Sequence, residues 1–304
     1  TKGYFSSKVV SETKMQMIRK SGLMDFELPI PIKDIGGLEP LKAYLRNRSK
    51  AFTTDANLPR PKGLLLLGIP GVGKSICCRA AASILDFPLI RLDIGHLKNS
   101  LVGESERRIR EATKVIEAFG DCVVFLDEIE KAFAGTRSSG LSDGGTTSGM
   151  FSHFLTWMSE QQSAFIMATA NSIQLLPPEF LRAGRFDAVF FADLPSTAER
   201  QDIIKIMNAR HCSKIPLEWA HALQGFSGAE IEQLAKDSLF DGLDAAKEAI
   251  VPLSRTMREE IESLRTWAKT RARIANAPED QPTVSRTIRK DSKTPATTGN
   301  PLFN

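Results

Sequence analysis

The sequence predicts an α/β fold, with a parallel β-sheet built around a glycine-rich loop and followed by a small helical domain. Three observations carry this expectation. Between residues 60 and 195, short runs rich in Leu, Val, Ile and Phe alternate with longer helical patterns, as in a parallel sheet covered on both faces. One run leads into Gly68-Ile69-Pro70-Gly71-Val72-Gly73-Lys74-Ser75, which fits G-x-x-x-x-G-K-[ST] between a strand and a helix. From Ser196 to about Leu253 the pattern is purely helical.

In chain order, strands are expected at 63–67, 88–93, 122–126, 164–169 and 189–192, and helices at about 74–85, 104–118, 147–160 and 177–183. Five parallel strands in the order 5-1-4-3-2 suffice for such a core. Residues 135–149 are rich in Gly, Ser and Thr inside the core and read as a mobile loop. Ser196-Thr197-Ala198-Glu199 opens the helical stretch with a cap and an early acidic residue. A further helix fits 257–272, with Ile261, Leu264 and Trp267 on one face. Beyond Ala277 little is left to bury, and disorder is expected. The resulting division is 1–30 as an N-terminal helix and linker, then 31–195 core, 196–253 lid, 254–276 C-terminal helix and 277–304 tail, and Thr1 rather than Met at the start reads as a fragment or a processed form.

The 304 residues, 42% of them hydrophobic, are ample for a buried core. No run approaches the roughly 18 to 20 apolar residues of a membrane span, and the N-terminus lacks a signal-peptide layout, so an intracellular, cytoplasmic location is expected. Cys77, Cys78, Cys122 and Cys212 have no metal-ligand spacing and read as reduced core residues. None of the four histidines has a ligand-like neighbour at helical spacing. Residues 251–304 hold ten Lys/Arg against six Asp/Glu, which accounts for the whole net charge of +4. Such a tail reads as a solvated segment rather than a nucleic-acid contact.

The glycine loop is the strongest chemical signal. Its glycines let backbone N–H groups converge on phosphate oxygens, and the helix beginning near Lys74 adds its positive dipole end. Lys74 would reach the outer phosphates and the Ser75 hydroxyl would hold Mg²⁺. The apolar run Val123 to Leu126 delivers Asp127 and Glu128 to a strand's carboxyl end, where open α/β sheets bind ligands. Asp127 suits a metal ligand and Glu128 a group that polarises an attacking water. Asn171, just past the fourth strand, falls beside both carboxylates in the expected strand order. Arg182 and Arg185, in Leu181-Arg182-Ala183-Gly184-Arg185, face away from the chain's own loop in that order and would reach a neighbouring subunit's γ-phosphate.

In combination these motifs resemble the AAA ATPases, over residues 34–253. Asp34-Ile35-Gly36-Gly37 is similar to that family's adenine-side motif, with Asp34, Ile35 and Gly36 lining the base. Gly225-Phe226-Ser227-Gly228-Ala229-Glu230 resembles the lid signature, in which Gly228 and Ala229 pack close to the nucleotide. The resemblance implies ATP/ADP and Mg²⁺ as ligands. Pro70, Gly71, Val72, Gly73, Lys74, Ser75 and Ile76 would embrace the phosphates, with Asp127 beside the metal and Glu128, Asn171, Arg182 and Arg185 in catalysis. It further implies a homo-oligomeric ring, a hexamer, acting on a protein partner. A narrower resemblance, from Ile69, the compact 38–62 segment and Pro252-Leu253-Ser254, is to the plastid- and cyanobacterial-type AAA ATPases, in which 14–23 is similar to the last helix of an upstream domain. In Lys98 to Ser105, Leu101 stands where threading members of the family place an aromatic residue. That departure favours an alternative, a nucleotide-dependent assembly switch with slow hydrolysis and no threading.

Overall fold

The computed structural model describes residues 18, 22–53, 57–95, 104–133 and 144–279. Leu101, His96, most of the 14–23 segment and the tail beyond residue 279 lie outside the described residues. The strands are β1 (Met24–Glu27), β2 (Gly63–Gly68), β3 (Leu89–Leu92), β4 (Cys122–Leu126), β5 (Ala164–Ala170), β6 (Ala188–Ala192) and β7 (Arg273–Ile274). The helices of the core are α1 (Glu39–Ser49), α2 (Lys74–Leu85), α3 (Glu104–Phe119), α4 (Ile129–Phe133) and α5 (Gly144–Glu160).

All seven strands form one mixed sheet in the order β1-β3-β4-β5-β2-β6-β7. The expectation of a five-stranded, all-parallel sheet is therefore corrected, although the five anticipated strands keep their mutual order. The two extra strands are both short edges. β1 pairs antiparallel with β3, and β7 extends the opposite edge parallel to β6. Neither shows in the sequence as an apolar run, because an edge strand of two to four residues needs little burial.

Strands β2, β4 and β5 are buried along their whole length. Their side chains alternate between two apolar layers: Leu64 and Leu66 join Leu41, Cys78 and Ala82 on one face, and Leu65 and Leu67 join Ile109, Phe154 and Met158 on the other. This is why the strands read as unbroken apolar runs rather than alternating ones.

Two other expectations change. Helix α5 begins at Gly144, inside the stretch expected to remain a loop to Gly149. Its apolar side chains Phe151, Phe154, Leu155 and Met158 are buried in the core, and such packing outweighs the weak helix propensity of Gly, Ser and Thr. The helix expected at 177–183 is only a 3₁₀ turn, Pro178–Leu181. It stops where Arg182 turns to extended backbone, at φ −68° and ψ 143°.

The helices α6 (Thr197–His211), α7 (Trp219–Ala222), α8 (Gly228–Asp241) and α9 (Leu243–Ala249) enclose a third apolar cluster around Ile204, Leu223, Ile231 and Leu234. Both α6 and α8 start with a complete capping box, Ser196 with Glu199 and Ser227 with Glu230. After a short turn, α10 (Leu253–Thr256), helix α11 (Arg258–Arg271) runs back to the sheet, with Leu264 and Trp267 against the layer that holds Leu65 and Leu67, and leads into β7. Cys77, Cys78 and Cys122 are buried, whereas Cys212 is exposed at the end of α6, a correction to its reading as a core residue. Among the described residues no helix is long and apolar enough to cross a membrane.

Candidate functional site

A cavity of about 300 Å³ opens at the carboxyl ends of the central strands, between the sheet and the helices that follow it. It is lined by Asp34, Ile35, Gly36 and Leu38; by Pro70, Gly71, Val72, Gly73, Lys74, Ser75 and Ile76; by Asp127, Glu128, Thr169 and Asn171; and by Ile203, Met207, Arg210, Gly228, Ala229 and Glu232. Its volume lies at the lower end of the range for small-molecule sites.

The loop after β2 bends through Gly71 at φ +79° and Gly73 at φ +89°, a region open to glycine at no steric cost. Gly71 is also a contact point. A Cβ there would lie 2.9 Å from Ser227 Oγ and 3.1 Å from the Ala229 methyl, and Ala229 N–H donates to the Gly71 carbonyl at 2.9 Å. The N-terminus of α8 is thereby docked on the loop, bringing Gly228 and Ala229 to the cavity.

Lys74 is the first residue of α2 and is buried. Its ammonium donates to the carbonyls of Gly68 and Ile69, each at 2.8 Å. Burial lowers its pKa to about 8, against the opposing pull of Glu130, Glu128 and Asp127. A cation so poorly solvated is suited to an anionic ligand.

Next along the helix, Ser75 Oγ donates to Asp127 Oδ1 at 3.0 Å. A hydroxyl and a carboxylate oxygen in contact form the hard-oxygen donor set that Mg²⁺ takes together with waters and phosphates. Thr169, fully buried at the end of β5, links the two carboxylate residues: its hydroxyl donates to Asp127 Oδ1 at 2.7 Å and accepts from Glu128 N–H at 2.9 Å. Glu128 holds φ +46°, a strained value for a residue with a Cβ and of a kind concentrated at functional positions.

The Glu128 carboxylate accepts from Asn171 Nδ2 at 2.7 Å and pairs with Lys131. The Lys131 hydrogen bond, with help from Asn171, holds it below the usual carboxylate range and so ionised. Asn171 is itself oriented from behind. Its N–H donates at 2.9 Å to Glu130 Oε1, a buried carboxylate raised in pKa chiefly by desolvation.

Arg182 and Arg185 stand apart, since neither lines the cavity. Arg182 is 70% exposed and pairs with Glu179 at 3.8 Å, while Arg185 donates to the Glu179 carbonyl. Sequence reasoning passed over Thr169, Glu130, Lys131, Leu38 and the lid residues Ile203, Met207, Arg210 and Glu232. For Thr169 a signal existed: it follows Ala168, the register partner of Leu126, so it stands at the height of Asp127. The lid residues gave none, because only the docking of the helical layer brings them there.

Comparison with known proteins identifies the family and the fold. Residues 64–194 match the model of the ATPase family associated with various cellular activities (AAA). The chain carries a domain of the AAA family. Over 288 residues it is 42% identical to the AAA domain-containing protein ycf46 of Pyropia yezoensis, an alignment covering 86% of this chain and 57% of that one. A cell division cycle protein 48 homolog of Archaeoglobus fulgidus is 29% identical over 81% of this chain and 35% of its own. This AAA chain thus spans little more than half the length of the ycf46 proteins it matches. Among solved structures, the FIGL-1 AAA domain shares the fold with a TM-score of 0.66 at 22% identity, covering 88% of this chain and 97% of that one.

Proposed function

We propose that this AAA chain binds ATP with Mg²⁺ in the cavity and hydrolyses it, as one unit of a ring that remodels a protein partner. The observation that carries the hydrolytic reading is the Asp127-Thr169-Glu128-Asn171 cluster, whose four residues at and just past the carboxyl ends of β4 and β5 meet beside Lys74 and Ser75. Mg²⁺ at Ser75 and Asp127 would supply charge neutralisation for the phosphates. Lys74, now turned onto loop carbonyls, would exchange them for phosphate oxygens. Glu128, ionised and fixed by Asn171, would orient a water and take its proton as the water oxygen bonds to the γ-phosphorus and the bond to the β–γ bridging oxygen breaks, releasing ADP and phosphate. Asp34, Ile35, Gly36 and Leu38 would hold the base on the opposite side.

Two observations support an assembled, shared site. Arg182 and Arg185 do not line their own chain's cavity, and on the lid Leu239 and Phe240 are exposed, Phe240 by 86%. Adjacent apolar side chains in water favour a partner surface. The reading is tested by ATP turnover and nucleotide retention in wild type, Lys74→Ala and Glu128→Gln. Turnover is expected to disappear in both variants, with binding lost in the first and bound ATP retained in the second. Unchanged turnover in Lys74→Ala would refute the proposal.

A further inference from the structure

Glu199 is 3% exposed, and its carboxylate gathers hydrogen bonds from three separate parts of the chain. Oε2 accepts from Ser196 N–H at 3.0 Å, the capping box of α6, and from Asn276 Nδ2 at 2.9 Å. Oε1 accepts from Leu38 N–H at 2.8 Å and from Ala277 N–H at 3.1 Å. A helix cap needs only the first of these. The others join the loop on the base side of the cavity to the segment that follows β7.

Both partners are fitted to this arrangement. On the loop side, Gly37 at φ +72° lies so close to α6 that a Cβ would come within 2.7 Å of Glu199 Cγ, and one on Gly36 within 2.7 Å of Ile203 Cγ1. The loop therefore lies flush on α6, with Ile35, Gly36 and Leu38 turned to the cavity. On the other side, Asn276 is buried; its Oδ1 accepts from Asp193 N–H at 2.7 Å, and Ala275 N–H donates to the Phe191 carbonyl at 2.8 Å. Arg265 of α11 clamps Asp193 through both carboxylate oxygens. One continuous polar chain thus runs from α11 through Asp193, Asn276 and Glu199 to Leu38.

We infer that Glu199 is a positioning residue that makes nucleotide affinity depend on docking of residues 275–277, through the base-side loop. The inference rests on the reading of the cavity as a nucleotide site. When 275–277 is undocked, two of the four donors leave a buried carboxylate. Its remaining contacts then no longer hold the loop and the α6 terminus in one geometry, because buried networks of this kind are satisfied as a unit. Coupling between binding sites is reciprocal, so nucleotide must in turn hold the segment in place by the same factor.

The test uses the full chain. Asn276→Ala is expected to weaken binding of a fluorescent ADP analogue by about 5- to 20-fold, with kcat at saturating ATP unchanged. In wild type, saturating ADP is expected to slow hydrogen exchange at the Ala275 and Ala277 amides by a similar factor. A role in folding alone would lower the melting temperature of the variant without moving either quantity. Affinity within twofold of wild type, or exchange that ignores ADP, overturns the inference while leaving the nucleotide site standing. Should Asn276→Ala fail to fold, wild-type exchange decides alone. Failure of the wild type to bind ADP overturns both readings together.

Discussion

At the scale of single residues, the site is built so that each reactive group has a neighbour holding it. Thr169 is the least conspicuous of these in the sequence and the most constrained in the structure, because one hydroxyl serves both Asp127 and the Glu128 backbone. Thr169→Val leaves the shape nearly unchanged but removes both bonds and strands a part-buried N–H, a loss of about 1–3 kcal/mol. Turnover is expected to fall roughly 10- to 100-fold, with Thr169→Ser retaining most of it; steady-state ATPase assays on the two variants make the comparison. Asn171→Ala should act mainly on kcat, since its side chain meets Glu128 rather than the loop. A selective rise in KM would instead place Asn171 in binding.

At the scale of elements, the helix termini do more than begin helices. Ser227 caps α8 through Glu230 N–H, and the same stretch docks on Gly71. Ser227→Ala is expected to cost about 1 kcal/mol of stability, read as a melting temperature lowered by a few degrees. Gly71→Ala should be worse for function than for folding. The new methyl meets Ser227 and Ala229 at a left-handed φ, so the loop and lid must separate, and titration should show ADP binding weakened by at least about tenfold.

At the scale of the whole molecule, the arginines decide whether one chain suffices. Arg182 is solvent-exposed and outside its own cavity, so in the shared-site reading it completes the site of a neighbour. Turnover per subunit is then expected to rise steeply with protein concentration. Arg182→Ala and Glu128→Gln, each inactive alone, should regain part of the activity when mixed, because each lacks what the other provides. Per-subunit activity that stays flat across a wide dilution would show a self-sufficient chain. Chelation of Mg²⁺ should abolish turnover while sparing most ADP binding, since the cavity keeps Lys74 and the loop N–H groups.

The sequence by itself determined the α/β class, the positions of the five central strands, the glycine loop and the paired carboxylates. Each depends on local pattern: fully buried strands read as apolar runs, and a tight loop demands glycine at fixed positions. Only the tertiary structure decided the rest. The edge strands β1 and β7, the early start of α5 and the reduction of 177–183 to a single turn all depend on which surfaces neighbouring elements cover. Thr169, Glu130 and Glu199 acquire their parts in the same way. A threonine, a glutamate after a DE pair and an N3 glutamate are ordinary residues locally, and their hydrogen bonds join positions about 40 to 160 residues apart in the chain. No period or spacing records a bond of that kind; it exists only once the layers have packed.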